Sequence, residues 1–152
     1  MIIFDDNIML KNLMLNFLLI EDDEVDIMTV KRAFKKGNIT NSLYVASDGL
    51  EALAMLRGEA GKPSLIPVDR RIILLDLNMP KMNGLEFLKE LRSDSAIGDI
   101  PVVVLTTSNE EKDRIQAYHL NVAGYILKPI SFGTFVDLMV TLNQYWTLCE
   151  MP

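Results

Sequence analysis

The chain has 152 residues, a formal net charge of -6 and a pI near 4.7. At 49% hydrophobic and 24% charged it has the composition of an ordinary globular domain, long enough for one sizeable core, and it lacks the basic surplus that broad binding to nucleic acid or an anionic membrane requires. Its single cysteine, Cys149, excludes an intramolecular disulfide or a cysteine cluster for zinc and fits a reducing, cytoplasmic compartment.

Residues 1–15 show no clear period and are read as an N-terminal extension. They lack a basic leader and a small-residue cleavage site, and Asp5, Asp6, Asn7, Lys11 and Asn16 interrupt the apolar stretches; neither a signal peptide nor a membrane span is expected. Residues 17–20 form a compact apolar run that reads as a first strand, closed by Glu21, Asp22, Asp23 and Glu24, with Asp26 just beyond. Ile27, Val30, Ala33 and Phe34 recur at helical spacing up to the stop signal Gly37-Asn38. A second strand is expected over 43–46. Asp48 followed by Glu51 resembles a capping box and opens a second helix with Leu50, Leu53, Ala54 and Leu56.

Residues 58–70, with Gly61, Pro63 and Pro67, read as a long connection. The run 72–75 is short, wholly apolar and ends on Asp76, followed by Asn78, Met79-Pro80 and Asn83-Gly84. Such a run suits a strand buried on both faces of a parallel sheet, ended by turn residues. A helix over about 84–92, a β-branched strand over 102–105 closed by Thr106-Thr107-Ser108, a helix over 110–120, a short strand over 125–127 ending at Lys128-Pro129, and a last helix from about Ser131 to Trp146 complete the chain. Five strand-then-helix units imply a parallel α/β sheet covered on both faces, with a crevice at the carboxyl ends of its strands.

Four of the five expected strand ends carry polar groups: Glu21 and Asp22, then Asp76, Thr106 and Lys128. Each has a plain explanation alone, as a helix cap, a turn residue or a solvated amine. Together they place three carboxylates, a hydroxyl and an ammonium on one edge. Crowded carboxylates need raised pKa values or a cation, and oxygen ligands without His or Cys suit a hard ion, Mg2+ before Zn2+. Asp76 is the candidate nucleophile for an aspartyl phosphate, with Lys128 and Thr106 holding phosphoryl oxygens.

The motifs FLLIEDD, ILLDLNMPKMNG, VVVLTT and GYILKP stand in the order and spacing of a known family. The chain resembles the receiver domain of two-component response regulators over about 16–146, leaving 147–152 as a tail. The resemblance implies a flavodoxin-like five-stranded parallel sheet of order 2-1-3-4-5 with five helices, a fold and strand order that the doubly wound class is known for. It implies that Asp76 accepts phosphate from a sensor histidine kinase, Asp22 and Asp76 hold Mg2+ with Glu21 acting through water, and Asn78 offers its backbone carbonyl. Thr106 and Lys128 would contact the phosphoryl group, and Thr106 and Tyr125 would form the switch that repacks a partner-binding face. Glu21 stands where many members have Asp. Asp23 is placed just past the ligands, the alternative being a register one residue later.

No output domain is expected after residue 146, so the resemblance is to stand-alone regulators of the chemotaxis type. The ending NQYWTLCEMP and the long connection before Asp76 look closest to regulators that sit beside phytochrome-type sensor kinases. That subgroup implies a homodimer through the last helix, where Phe132, Phe135, Tyr145 and Trp146 are more aromatic surface than one core face needs; alternatively Trp146 folds back onto the sheet. Two other functions compete with this reading. A Mg2+-dependent aspartyl-nucleophile phosphatase of the haloacid-dehalogenase type wants Asp-x-Asp-x-Thr after its first strand, and Asp76-Leu77-Asn78 follows the third. A scaffold that is never phosphorylated would not need the full set of polar strand ends. His119 reads as solvated, Cys149 as incidental, and Met79 and Met82 as packing residues.

Overall fold

The computed structural model describes residues 14–58 and 64–152. Most of the expected extension and the middle of the 58–70 connection therefore lie outside the described residues. The chain runs β1 (Asn16–Ile20), α1 (Glu24–Lys36), β2 (Ser42–Ala46), α2 (Gly49–Arg57), β3 (Arg71–Leu75), α3 (Gly84–Ser93), β4 (Val102–Thr106), α4 (Glu111–His119), β5 (Gly124–Leu127) and α5 (Phe132–Leu148). All strand pairs are parallel, in the order β2-β1-β3-β4-β5, the flavodoxin-like arrangement that the family resemblance implies.

Alternation along the strands divides the interior in two. Leu18, Ile20, Ile73, Leu75, Val102 and Val104 face α2, α3 and α4 and pack on Leu53, Leu56, Phe87, Leu88 and Leu91. Phe17, Leu19, Ile72, Leu74, Val103 and Leu105 face the other way, against Val30, Ala33 and Phe34 of α1 and Phe135 and Met139 of α5. The residues of β3 from Ile72 to Leu75 are almost wholly buried, which is why they read as an unbroken apolar run rather than an alternating one.

Local chemistry fixes the helix starts. Asp23, Asp48, Asn83 and Ser131 each cap a helix by accepting a backbone N–H three residues on. At Asp48 the expected box is only half formed, because the Glu51 carboxylate turns to the amide and hydroxyl of Ser47 instead. The reciprocal box is at Asn83 and Glu86, where the Asn-Gly pair reads from sequence merely as a turn.

Two arginines staple the far end of the sheet. Arg92 donates to the carbonyls of Gly98, Ile100, Leu120 and Asn121. Arg70 donates to those of Trp146, Thr147 and Cys149, so a cation closes the carboxyl end of α5, where the helix dipole favours it. α5 reaches Leu148, past the boundary drawn at 146. Trp146 packs partly against the α1/α5 core, whereas Tyr145 is 60% exposed.

Candidate functional site

The crevice forms where the chain order reverses, between β1 and its neighbours. Ile20 pairs with Leu75 across β1 and β3, so the next residues, Glu21 and Asp76, leave the sheet side by side. The amide of Asp76 donates to the Ile20 carbonyl at 3.0 Å and that of Glu21 to the Ala46 carbonyl at 3.0 Å. Backbone pairing thus sets the two carboxylates before any side-chain contact is made. Glu21 and Asp76 are buried and Asp22 is exposed, and one oxygen of each lies within 4.8 Å of the others. Asp23 is occupied at the N-cap of α1, where its carboxylate accepts from the Asp26 amide at 3.0 Å.

The fourth and fifth strands complete the rim. Thr106 pairs with Leu127, and the Lys128 amide donates to the Thr106 carbonyl at 2.8 Å. A cis peptide joins Lys128 to Pro129. The Lys128 ammonium lies 3.1 Å from Glu21 Oε2 and 3.0 Å from Asp26 Oδ2. Glu21, Asp26, Asp76, Thr107 and Lys128 line a cavity of about 300 Å³ backed by Leu19, Val30, Leu105 and Phe135. Asn78 and Asp22 line a separate depression on the other side of the rim, with Met79, Leu85 and Asp113.

Thr106 is fully buried, and its hydroxyl accepts the Ser108 amide at 3.2 Å; the neighbouring Thr107 is the one that lines the cavity. Tyr125 donates its hydroxyl to the Ser108 carbonyl at 3.0 Å, and Ser108 in turn donates its own to Asp113 of α4 at 2.6 Å. Ser108 therefore joins Thr106, Tyr125 and α4. Behind the site, the amide of Gly84 donates to the Leu77 carbonyl at 3.0 Å, and a Cβ at Gly84 would stand 2.6 Å from the Asp76 carbonyl oxygen. Only glycine lets α3 begin so close to the Asp76 loop.

Electrostatics follow from this crowding. Burial pushes the Glu21 carboxyl up from 4.5 to about 7; the Asp23 amide and Lys128 pull the other way, and the Asp76 charge adds to the rise. Burial alone would lower the Lys128 ammonium, but Asp26, Glu21 and Asp76 outweigh it and the net shift is upward. The three clustered acids carry more negative charge than one ammonium relieves. Their spacing and oxygen-only chemistry suit a hard divalent cation, which Glu21, Asp22 and Asp76 could hold.

Asp26 and Ser108 are the residues that the strand-end pattern misses. Asp26 sits in the first turn of a helix, where an acid reads as a favourable dipole partner. Its place four residues after Asp22, on a helix opening directly off the rim, is the signal that could have found it. Ser108 acts mainly through its backbone, which leaves no mark in the sequence. His119 is exposed at the end of α4, Cys149 is the C-cap of α5, and Met79 and Met82 pack against the α2–α4 core. No helix among the described residues is long and apolar enough to cross a membrane.

Comparison with known proteins points to one family. The family model described as "Response regulator receiver domain" matches residues 17–139. The chain is 36% identical over 129 residues to the response regulator Rcp1 of Synechocystis, covering 85% of this chain and 86% of the relative. It is equally similar, 36% over 129 residues, to a probable methanogenesis regulatory protein, FilR2, of Methanothrix harundinacea, covering 85% of this chain and 81% of the relative. Among solved structures, the phosphorylated cyanobacterial phytochrome response regulator RcpA superposes with a TM-score of 0.79 at 33% identity, over 91% of this chain and 99% of that one. The Mn2+-bound form of response regulator Rcp1 superposes with a TM-score of 0.74 at 34% identity, over 90% and 97%.

Proposed function

The chain belongs to the response regulator receiver domain family, and from that premise we propose that Asp76 accepts a phosphoryl group from the phosphohistidine of a sensor kinase. The observation that carries this is the convergence of Glu21, Asp22 and Asp76 within 4.8 Å on the rim that also holds Lys128. A carboxylate oxygen of Asp76 attacks phosphorus in line, the phosphorus–nitrogen bond to the kinase histidine breaks, and the departing imidazole keeps the electron pair. Lys128 holds one phosphoryl oxygen, and the Thr106 hydroxyl turns from the Ser108 amide to another. Asp22, Asp76, Glu21 and the Asn78 carbonyl would hold Mg2+, which would supply neutralisation of the phosphoryl charge. The same residues promote hydrolysis of the acyl phosphate by water to the free carboxylate and inorganic phosphate, so the domain governs the lifetime of its own signal while turning over no separate substrate.

Movement of Thr106 draws on Ser108, and with it on the Tyr125 hydroxyl and on Asp113 of α4. A local charge change thereby biases the packing of α4, β5 and α5, the face that meets a downstream protein. Similarity to the phytochrome regulator RcpA supports a phytochrome-type kinase as the donor, in a cytoplasmic light-signalling pathway; phosphotransfer from a purified kinase of that type, altered by illumination, tests it. Exposure of Tyr145 and of Leu148 at 86% supports a homodimer through the end of α5, read by light scattering.

The test of the central assignment is labelling by phosphoramidate. Wild type should label only with Mg2+, and Asp76→Asn should not label at all. Persistent labelling of Asp76→Asn would overturn it.

A further inference from the structure

Lys128 serves two acids, and only one belongs to the metal cluster. Its ammonium has three N–H donors. One contact goes to Glu21 Oε2 at 3.1 Å and one to Asp26 Oδ2 at 3.0 Å, which hold the amine between the two carboxylates. The two carboxylates are differently placed. The Glu21 side chain is only 4% exposed, whereas that of Asp26 is 41% exposed, on the first turn of α1. Glu21 is fixed by the pairing of β1, and its carboxylate also accepts the Asp23 amide at 3.1 Å. It therefore keeps the amine on the rim without help. Asp26 is outside the clustered set of Glu21, Asp22 and Asp76 and pulls the amine towards α1.

We propose that Asp26 is a positioning residue that competes with the incoming phosphoryl group for Lys128 and so sets how tightly the site takes up its phosphodonor. This rests on the function proposed for Asp76. The balance is one of charge and hydrogen bonds only: as the phosphoryl oxygens arrive, the ammonium shifts from the Asp26 carboxylate to a phosphoryl oxygen, and water takes its place on Asp26. Because Asp26 is partly solvated, the contact it gives up is that of a near-surface ion pair, equivalent to a factor of up to about five in an equilibrium constant.

The experiment compares wild type, Asp26→Asn and Glu24→Gln in phosphoramidate labelling with saturating Mg2+, reading the half-saturating donor concentration and the maximal rate separately. Glu24 lies in the same first turn and removes the same charge. Asp26→Asn should lower the half-saturating concentration about three- to fivefold with an unchanged maximal rate, and Glu24→Gln should leave both at the wild-type value. An unchanged or higher half-saturating concentration in Asp26→Asn overturns the proposal. So does an equal drop in Glu24→Gln, which would make the effect a general field rather than a hold on Lys128. Failure of wild type itself to label sinks both this inference and the function it rests on, whereas a wild type that labels beside an unaltered Asp26→Asn sinks this inference alone.

Discussion

Replacing Glu21 with Gln removes the proton that the crowded rim holds back. In the folded chain that carboxyl titrates at about 7, against an ordinary 4.5. Between those two values the folded state binds more protons than the unfolded state, so stability falls as pH rises through the window and is level again above it. At about 1.4 kcal/mol per pH decade, the full loss is about 3 kcal/mol. The Gln side chain does not titrate, and Lys128 keeps its contact with Asp26. In chelator, urea unfolding of wild type and Glu21→Gln from pH 4.5 to 8 should therefore give stability curves that diverge by about 3 kcal/mol, with the variant gaining at the alkaline end. Added Mg2+ should flatten the wild-type curve, because the cation binds the ionised cluster, and should do less for the variant. Curves that run parallel in chelator would refute the claim that burial and crowding raise the Glu21 pKa.

Two further outcomes bear on the scaffold that positions the rim. Arg92→Ala strips hydrogen bonds from four backbone carbonyls in the turns that lead into β4 and β5 and should cost about 2–4 kcal/mol in urea unfolding. Labelling of the molecules that remain folded should persist. Gly84→Ala sets a methyl 2.6 Å from the Asp76 carbonyl oxygen and 2.7 Å from Leu77 Cα. Backbone atoms cannot rotate away, so the variant should lose about 1–3 kcal/mol and also label more slowly, a pairing of defects not expected of Arg92→Ala.

Much of this is legible in the sequence. Buried parallel strands admit only apolar residues, so 72–75 and 102–105 stand out, and the polar residue that ends each run is placed on the rim by register alone. That is how Glu21, Asp76, Thr106 and Lys128 could be grouped from the sequence. What was not legible depended on contacts between distant segments. Arg70 falls in the 58–70 connection and Arg92 at the end of the expected 84–92 helix, and only the fold brings carbonyls from later in the chain to their guanidinium groups. Asp26 has a sufficient local reason to exist in the first turn of a helix, so its grip on an amine 102 residues away is invisible without the fold. The choice of Glu51 between the Asp48 and Ser47 amides is a matter of a single rotamer, beneath what spacing can decide.

The division of the interior by odd and even strand positions has a practical corollary. Leu18 and Leu19 are neighbours in sequence yet belong to separate apolar compartments, joined only through the backbone hydrogen bonds of the sheet. Losses of volume in one compartment should add independently to losses in the other, while pairs within a compartment should couple. A library of paired truncations would sort into two families that follow side-chain parity rather than distance along the chain, and the rim residues, drawing on both, would be where the two families meet.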